Sequence, residues 1–224
     1  MAPHAPRRVL CTVIMKKVFI YGTTDIYENY VRALNAVGAQ AILSEDVGKA
    51  KECDALLLAG GGDVSPCLYG QSSVSCRAVS LKRDISELYL IASFLSRRAP
   101  VMGVCRGLQI LNVFFEGTLN QYVPQKELHY DENGDVYHTI TIAEKGFMYP
   151  LFGKTLTVNS AHRQTVKTLG KNLKACATSP DGQIEALFHK TQKVIGVQFH
   201  PERMTDRESN AREKIYSYFI SLIG

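Results

Sequence analysis

Between Lys17 and Phe115 short apolar runs alternate with amphipathic stretches, and this alternation restricts the fold more than any other feature of the 224 residues. "KVFIYG" (Lys17 to Gly22) reads as a buried strand ending in a turn, and "DIYENYVRALNAVG" (Asp25 to Gly38) as an amphipathic helix with an acid near its start and a glycine at its end. "AQAIL" (Ala39 to Leu43) is a second strand, and a third runs from Asp54 into a glycine loop at Gly60, Gly61 and Gly62. "RDISELYLIASFLSRR" (Arg83 to Arg98) has helical apolar spacing. It leads through Pro100 to the strand "VMGV" (Val101 to Val104), and the helix "RGLQILNVFF" follows at once. Strands joined by crossover helices run parallel, and apolar strands without polar alternation are covered on both faces. The expectation is an α/β protein whose ligand crevice lies at the carboxyl ends of the strands.

The second half changes character. "YHTITIA" (Tyr137 to Ala143), "KTLTVNS" (Lys154 to Ser160), "LKACATS" (Leu173 to Ser179), "IEALFH" (Ile184 to His189) and "KVIGVQFH" (Lys193 to His200) read as hairpin strands with little helix between them. Two of these are joined by the turn "SPDGQ" (Ser179 to Gln183), and an amphipathic helix from Ser209 closes the chain. The polar stretch Gln121 to Asp135 is the expected mobile loop. Residues 1–14 are expected to be a disordered extension, with one domain spanning 15–224.

Composition narrows the partners. With 46% hydrophobic and 21% charged residues the chain can bury one sizeable core. Lysine and arginine (26) outnumber aspartate and glutamate (21), but they are scattered singly or in pairs, so no nucleic-acid stripe is expected. The six cysteines show no CxxC pair and no zinc spacing, which fits a reducing cytoplasm and no disulfide framework. The short apolar run near the N-terminus is stopped by Lys16-Lys17, and no segment reaches the roughly 20 apolar residues of a membrane helix, so no membrane role is expected.

Cys105 stands between an apolar strand and an apolar helix, with Gly103 and Gly107 on either side. Such a sharp turn needs small neighbours, and the helix N-terminus favours thiolate, so the pattern suits a presented nucleophile. A buried small hydrophobe is the other reading, and the local pattern leaves both open. In "VIGVQFHPE", His200 ends an apolar strand and supplies a base. Glu202, two residues on, returns to the same side of an extended chain and can fix the imidazole tautomer. The Arg106 amide and one from the glycine loop would face an oxyanion formed at Cys105.

Taken together, "AGGGDVSP", "GVCRGLQILN", "VNSAHRQ" and "GVQFHPE" resemble the class I glutamine amidotransferase-like superfamily, and within it the gamma-glutamyl-gamma-aminobutyrate hydrolase (peptidase C26) group. The likeness runs from about Met15 onward. It implies a flavodoxin-like open, mainly parallel sheet with helices on both faces and a smaller antiparallel β section. It also implies Cys105 as nucleophile, His200 as base, Glu202 as orienting acid, and oxyanion donors at Arg106 and at Gly61 and Gly62. Gln109 falls where related enzymes hold the gamma-glutamyl moiety, and the segment containing Asn159, Ser160 and His162 falls on the substrate side. Two positions depart from the family pattern: Ala59, where proline is common before the glycines, and Glu116, where a second glycine is common before "GTL".

The implied reaction is hydrolysis of a small-molecule gamma-glutamyl amide through a thioester, with no cofactor. The alternative is a glutaminase subunit that passes ammonia to a synthetase partner. A binding protein without turnover is the reading from another class, and homodimerisation is left open. Among the other residues, His129, His138, His162 and His189 show no i, i+4 pair on a helix with an acid between, so no metal is expected. Asp84 reads as a helix cap, with a role near the site as the alternative. Tyr122, Tyr130 and Tyr137 are expected to border a lid over the substrate amine, and no support exists for a disulfide between Cys67 and Cys76.

Overall fold

The computed structural model describes residues 15–204 and 210–224, so the expected extension 1–14 lies outside the described residues. β1 (Lys16–Tyr21), α1 (Thr24–Ala36), β2 (Ala39–Ser44), β3 (Ala55–Leu58), α2 (Leu81–Ser96), β4 (Val101–Val104) and α3 (Arg106–Phe114) follow the expected alternation to within a few residues. Then come β5 (Thr118–Asn120), the one-turn α4 (Lys126–His129), β6 (Val136–Ile142), α5 (Met148–Phe152), β7 (Thr155–Ser160), β8 (Thr165–Thr168), β9 (Leu173–Thr178), β10 (Ile184–His189), β11 (Val194–Val197) and α6 (Ala211–Ser221).

Nine strands form one sheet in the order β2-β1-β3-β4-β11-β10-β9-β6-β7. The first five run parallel, and β10, β9, β6 and β7 continue the sheet as antiparallel neighbours. The smaller antiparallel section is therefore an extension of the main sheet, and among the described residues only β5 and β8 form a separate two-stranded ribbon.

Successive strand residues face opposite sides, and the two cores follow that period. Val18 and Ile20 of β1, with Ala55 and Leu57 of β3, pack in one cluster with Leu34 of α1 and Tyr216 and Phe219 of α6. Phe19, Leu56 and Leu58 pack on the other face with Leu90, Ile91 and Phe94 of α2 and Leu108 and Leu111 of α3. Fully burying one such side chain contributes about 1.5–3 kcal/mol.

Two loops carry their own anchors. The turn joining β9 and β10 closes with Ser179 N donating to the Gln183 carbonyl at 2.9 Å, and Gly182 takes φ +83 there. Gln121 to Asp135, expected as a mobile loop, is instead tied down at several points. Val123 and His129 are buried, Val123 N donates to the Arg163 carbonyl at 2.8 Å, and Gln121 Oε1 accepts from Val74 N at 2.8 Å. Among the described residues no helix is long and apolar enough to cross a membrane.

Candidate active site

The chain reverses its direction of growth across the sheet at β1, moving first to β2 and then to β3 and β4, and in open α/β sheets the crevice forms beside such a switch. The loop after β3, the turn after β4 and the segment after β11 all leave the sheet at this edge.

Cys105 has φ +53 and ψ −107, a conformation that residues with a side chain seldom adopt. Its neighbours show why the chain tolerates it. A methyl group on Gly103 would overlap the Gly107 carbonyl, and one on Gly107 would overlap the Leu58 carbonyl of β3. Strand, turn and helix are thus in backbone contact. Cys105 N donates to the Val197 carbonyl at 2.8 Å, which ties the elbow to β11. The residue keeps 5% of its surface exposed and lines a cleft of about 220 Å³.

β11 ends at Val197, so His200 lies three residues beyond the strand and not at its tip. Pro201–Arg203 form a 3-10 turn, and it is this turn, not extended geometry, that brings Glu202 back to the ring. His200 Nδ1 stands 2.7 Å from Glu202 Oε1, and the ring and the Cys105 side chain both pack against Gly60. Burial opposes the charged ring, but Glu202 and Cys105 outweigh it and raise its pKa to about 10. Glu202 is itself enclosed: burial first, and then its negative charge, push the Tyr30 and Tyr216 phenols well above their ordinary value.

A buried charge network that the sequence reading missed supports the elbow from behind. The Arg106 guanidinium pairs with both Asp84 and Glu87. Arg83 Nε donates to Glu87 at 2.8 Å, while its Nη2 donates to the carbonyls of Ala59 at 2.8 Å and Gly60 at 3.1 Å. The network therefore fixes the glycine loop and the start of α3 together. Asp84, expected as a helix cap, instead takes Ser65 N at 3.1 Å and Arg106, and the cap of α2 is Ser80 Oγ, which accepts from Arg83 N. The available signal was an arginine opening a largely apolar, buried helix, with two acids three residues apart on α2.

The cleft is lined by Gly61, Gly62, Gln109, His162 and Arg163 together with Cys105. Gly61 sits at φ +150, and a side chain there would strike Arg83. Gln109 Nε2 donates to the Gln164 carbonyl at 2.9 Å and to Gln198 Oε1 at 3.2 Å. Asn159 and Ser160, expected on the substrate side, turn inward instead. Asn159 Oδ1 accepts from His200 N at 3.0 Å, and Ser160 Oγ donates to the His129 carbonyl at 3.0 Å. The part of that segment on the cleft is Ala161 to Gln164, because β7 delivers Asn159 and Ser160 into the core before the chain leaves the sheet. Arg163 lies about 6 Å from the rings of Tyr122 and Tyr130, and its buried Nη1 has no hydrogen-bond partner. Tyr130 also lines the cleft, whereas Tyr137 is exposed on β6. Cys67 and Cys76 are free thiols.

The family profile described as Peptidase C26 matches residues 15–202. This chain belongs to the peptidase C26 family. Peptidase C26 lies within the class I glutamine amidotransferase-like group, and the relatives agree. "Putative glutamine amidotransferase PB2B2.05" of Schizosaccharomyces pombe is 35% identical over 181 residues, covering 75% of this chain and 69% of the relative. "Gamma-glutamyl-gamma-aminobutyrate hydrolase PuuD" of Escherichia coli K12 is 28% identical over 207 residues, covering 81% and 80%. Among solved structures, a putative GMP synthase component from Thermoplasma acidophilum superposes with a TM-score of 0.69 over 94% of both chains at 18% identity, a likeness of fold.

Proposed function

We propose that the protein hydrolyses the gamma-glutamyl amide bond of a small gamma-glutamyl compound, with Cys105 as nucleophile, His200 as acid–base and Glu202 as the group that orients the histidine. The observation that carries this reading is the strained Cys105 elbow facing a ring whose far nitrogen is held by Glu202 at 2.7 Å. A histidine that keeps its proton to about pH 10 faces the sulfur as a cation, and a cation beside a sulfur stabilises the anionic nucleophile.

In the first half-reaction the Cys105 sulfur bonds to the gamma-carbonyl carbon. The oxyanion rests on the amides of Arg106 and of the Gly61–Gly62 loop, and His200 gives its proton to the nitrogen as the C–N bond breaks. Amine departs and a gamma-glutamyl thioester remains. Water then adds to the thioester carbonyl while His200 takes its proton, the C–S bond breaks, and glutamate leaves. Gln109 and the Ala161–Gln164 wall would hold the glutamyl group.

The leaving amine we infer bears a carboxylate. Arg77 and Arg163 both line the cleft, and the buried Arg163 Nη1 lacks an acceptor. The relatives named as glutamine amidotransferases support the rival in which ammonia passes to a synthetase. Both readings are tested by steady-state hydrolysis of glutamine and of gamma-glutamyl amides with acidic, neutral and cationic leaving amines. The expected outcome is fastest turnover for acidic leaving amines by the isolated protein, with none in Cys105→Ser although it stays folded. Wild-type rates in that variant would refute the nucleophile, and glutaminase activity that appears only with an added synthetase would favour the rival.

A further inference from the structure

Behind the cleft wall, side chains from separate parts of the chain converge in the interior: His129 at the end of α4, His138 on β6, His162 between β7 and β8, Asp181 in the β9–β10 turn and Glu185 on β10. The three histidines and Glu185 are all buried. His129 Nδ1 and His162 Nε2 are 3.2 Å apart, and Glu185 Oε1 stands 3.7 Å and 3.5 Å from them.

The outward-facing nitrogens determine what these atoms carry. His162 Nδ1 faces the Gln164 carbonyl at 3.1 Å, and a carbonyl only accepts, so the ring proton is on Nδ1 and Nε2 presents a lone pair. His129 Nε2 faces both oxygens of Asp181 at 3.1 Å, so by the same reasoning its Nδ1 presents a lone pair. Neither oxygen of Glu185 has a hydrogen-bond partner. With both rings neutral, two lone pairs and a carboxylate oxygen thus point at one buried place, an arrangement that is repulsive unless an extra ring proton or a metal cation lies between them.

We propose that His129 Nδ1, His162 Nε2 and Glu185 Oε1 bind a divalent transition-metal ion of the zinc type. Their separations match the ligand–ligand edges of roughly 3.3–3.4 Å that a tetrahedral site with bonds of about 2.0–2.1 Å requires. The donors are the imidazole and carboxylate groups zinc takes, and each ring is oriented by a carboxylate or carbonyl on its other nitrogen, as ligating histidines are. His138 completes the enclosure: its Nδ1 donates to the Leu128 carbonyl at 2.9 Å, and its Nε2, which has no hydrogen-bond partner, lies 3.4 Å from Glu185 Oε1. The ion is a staple, not a reactant. It would tie α4 and β10 to the segment whose His162 and Arg163 wall the cleft. The sequence pointed to no metal because no two histidines sit paired on one helix, and these ligands lie on three separate segments.

The test uses the full-length protein in a Cys105→Ser background, so that zinc held by the nucleophile cannot count. After chelator dialysis the protein is loaded with zinc chloride, desalted and assayed for metal by mass spectrometry, and a parallel sample is titrated with cobalt(II). The expected result is about one zinc per chain and the intense visible bands of four-coordinate cobalt with nitrogen and oxygen ligands. Asp181→Asn, which leaves the ligands in place but weakens the orientation of His129, should reduce affinity by about 10–100-fold. Less than about a tenth of an equivalent of zinc, with no visible cobalt bands, would overturn the proposal and leave the cluster held by protons alone. Cobalt bands dominated by sulfur-to-metal charge transfer would overturn it too, by placing the ion on a cysteine. None of these readouts depends on turnover.

Discussion

Cys105 occupies a backbone conformation that costs about 1–3 kcal/mol for a residue with a side chain. Glycine would relieve that cost but would remove the thiol, so the surroundings hold the strain: the bond to Val197, the contact between Gly103 and Gly107, and the Arg106 ion pairs. His200 is positioned with similar economy, its backbone by Asn159 and its ring by Glu202. Because Glu202 heads the influences that keep the ring charged against burial, Glu202→Gln should lower the histidine's pKa. The alkaline limb of the kcat/KM profile, expected in wild type as pH passes about 10, should then move to lower pH. An unmoved limb would mean that Glu202 orients the ring without setting its charge.

At the level of elements, the segment between α3 and β5 shows how a departure from the family pattern is accommodated. Glu116 holds φ +67, in the left-handed region that explains why glycine is common there. Its carboxylate reaches Lys171 at 2.7 Å, but both side chains are largely exposed, and such a pair contributes little, about 0–1 kcal/mol. Glu116→Gly is therefore expected to stabilise the protein by about 1 kcal/mol, read as a higher urea midpoint, while a lower midpoint would show that the Lys171 contact outweighs the strain. The parallel strands were legible in the sequence because continuous apolar runs such as Ala55–Leu58 admit no solvent-facing side, and the residues at their carboxyl ends, Cys105 above all, could be placed from that alone. The 3-10 turn at Pro201–Arg203 was not legible, since a His-Pro-Glu tripeptide is compatible with extended chain. Neither were the Asp84–Glu87–Arg106 network and the histidine cluster, whose members lie far apart along the chain and become neighbours only through strand order.

Across the whole molecule the charge on His200 also links folding to pH. Below about 6.5 the ring is protonated in both states and its interactions with Glu202 and Cys105 contribute fully. Between about 6.5 and about 10 the folded protein holds a proton that the unfolded chain has released, so stability falls as pH rises and this contribution is gone above about 10. The urea midpoint is thus expected to be lower at pH 9.5 than at pH 6, with a smaller difference in Glu202→Gln; a midpoint unchanged in wild type would contradict the ionic pairing. The sheet order has a consequence of its own. β11 sits at the centre, between β4 and β10, yet among the described residues it is the last strand in sequence order. A ribosome therefore releases β1 to β4, with the cysteine elbow, long before the strand that flanks them exists. The nascent chain must keep an apolar strand edge from pairing with the wrong neighbour until residue 200 emerges, and such late, long-range closure is slow and exposed to aggregation. Nucleophile and base consequently meet only after residue 200 has emerged, so a shorter nascent polypeptide carries a thiol but no machinery to use it.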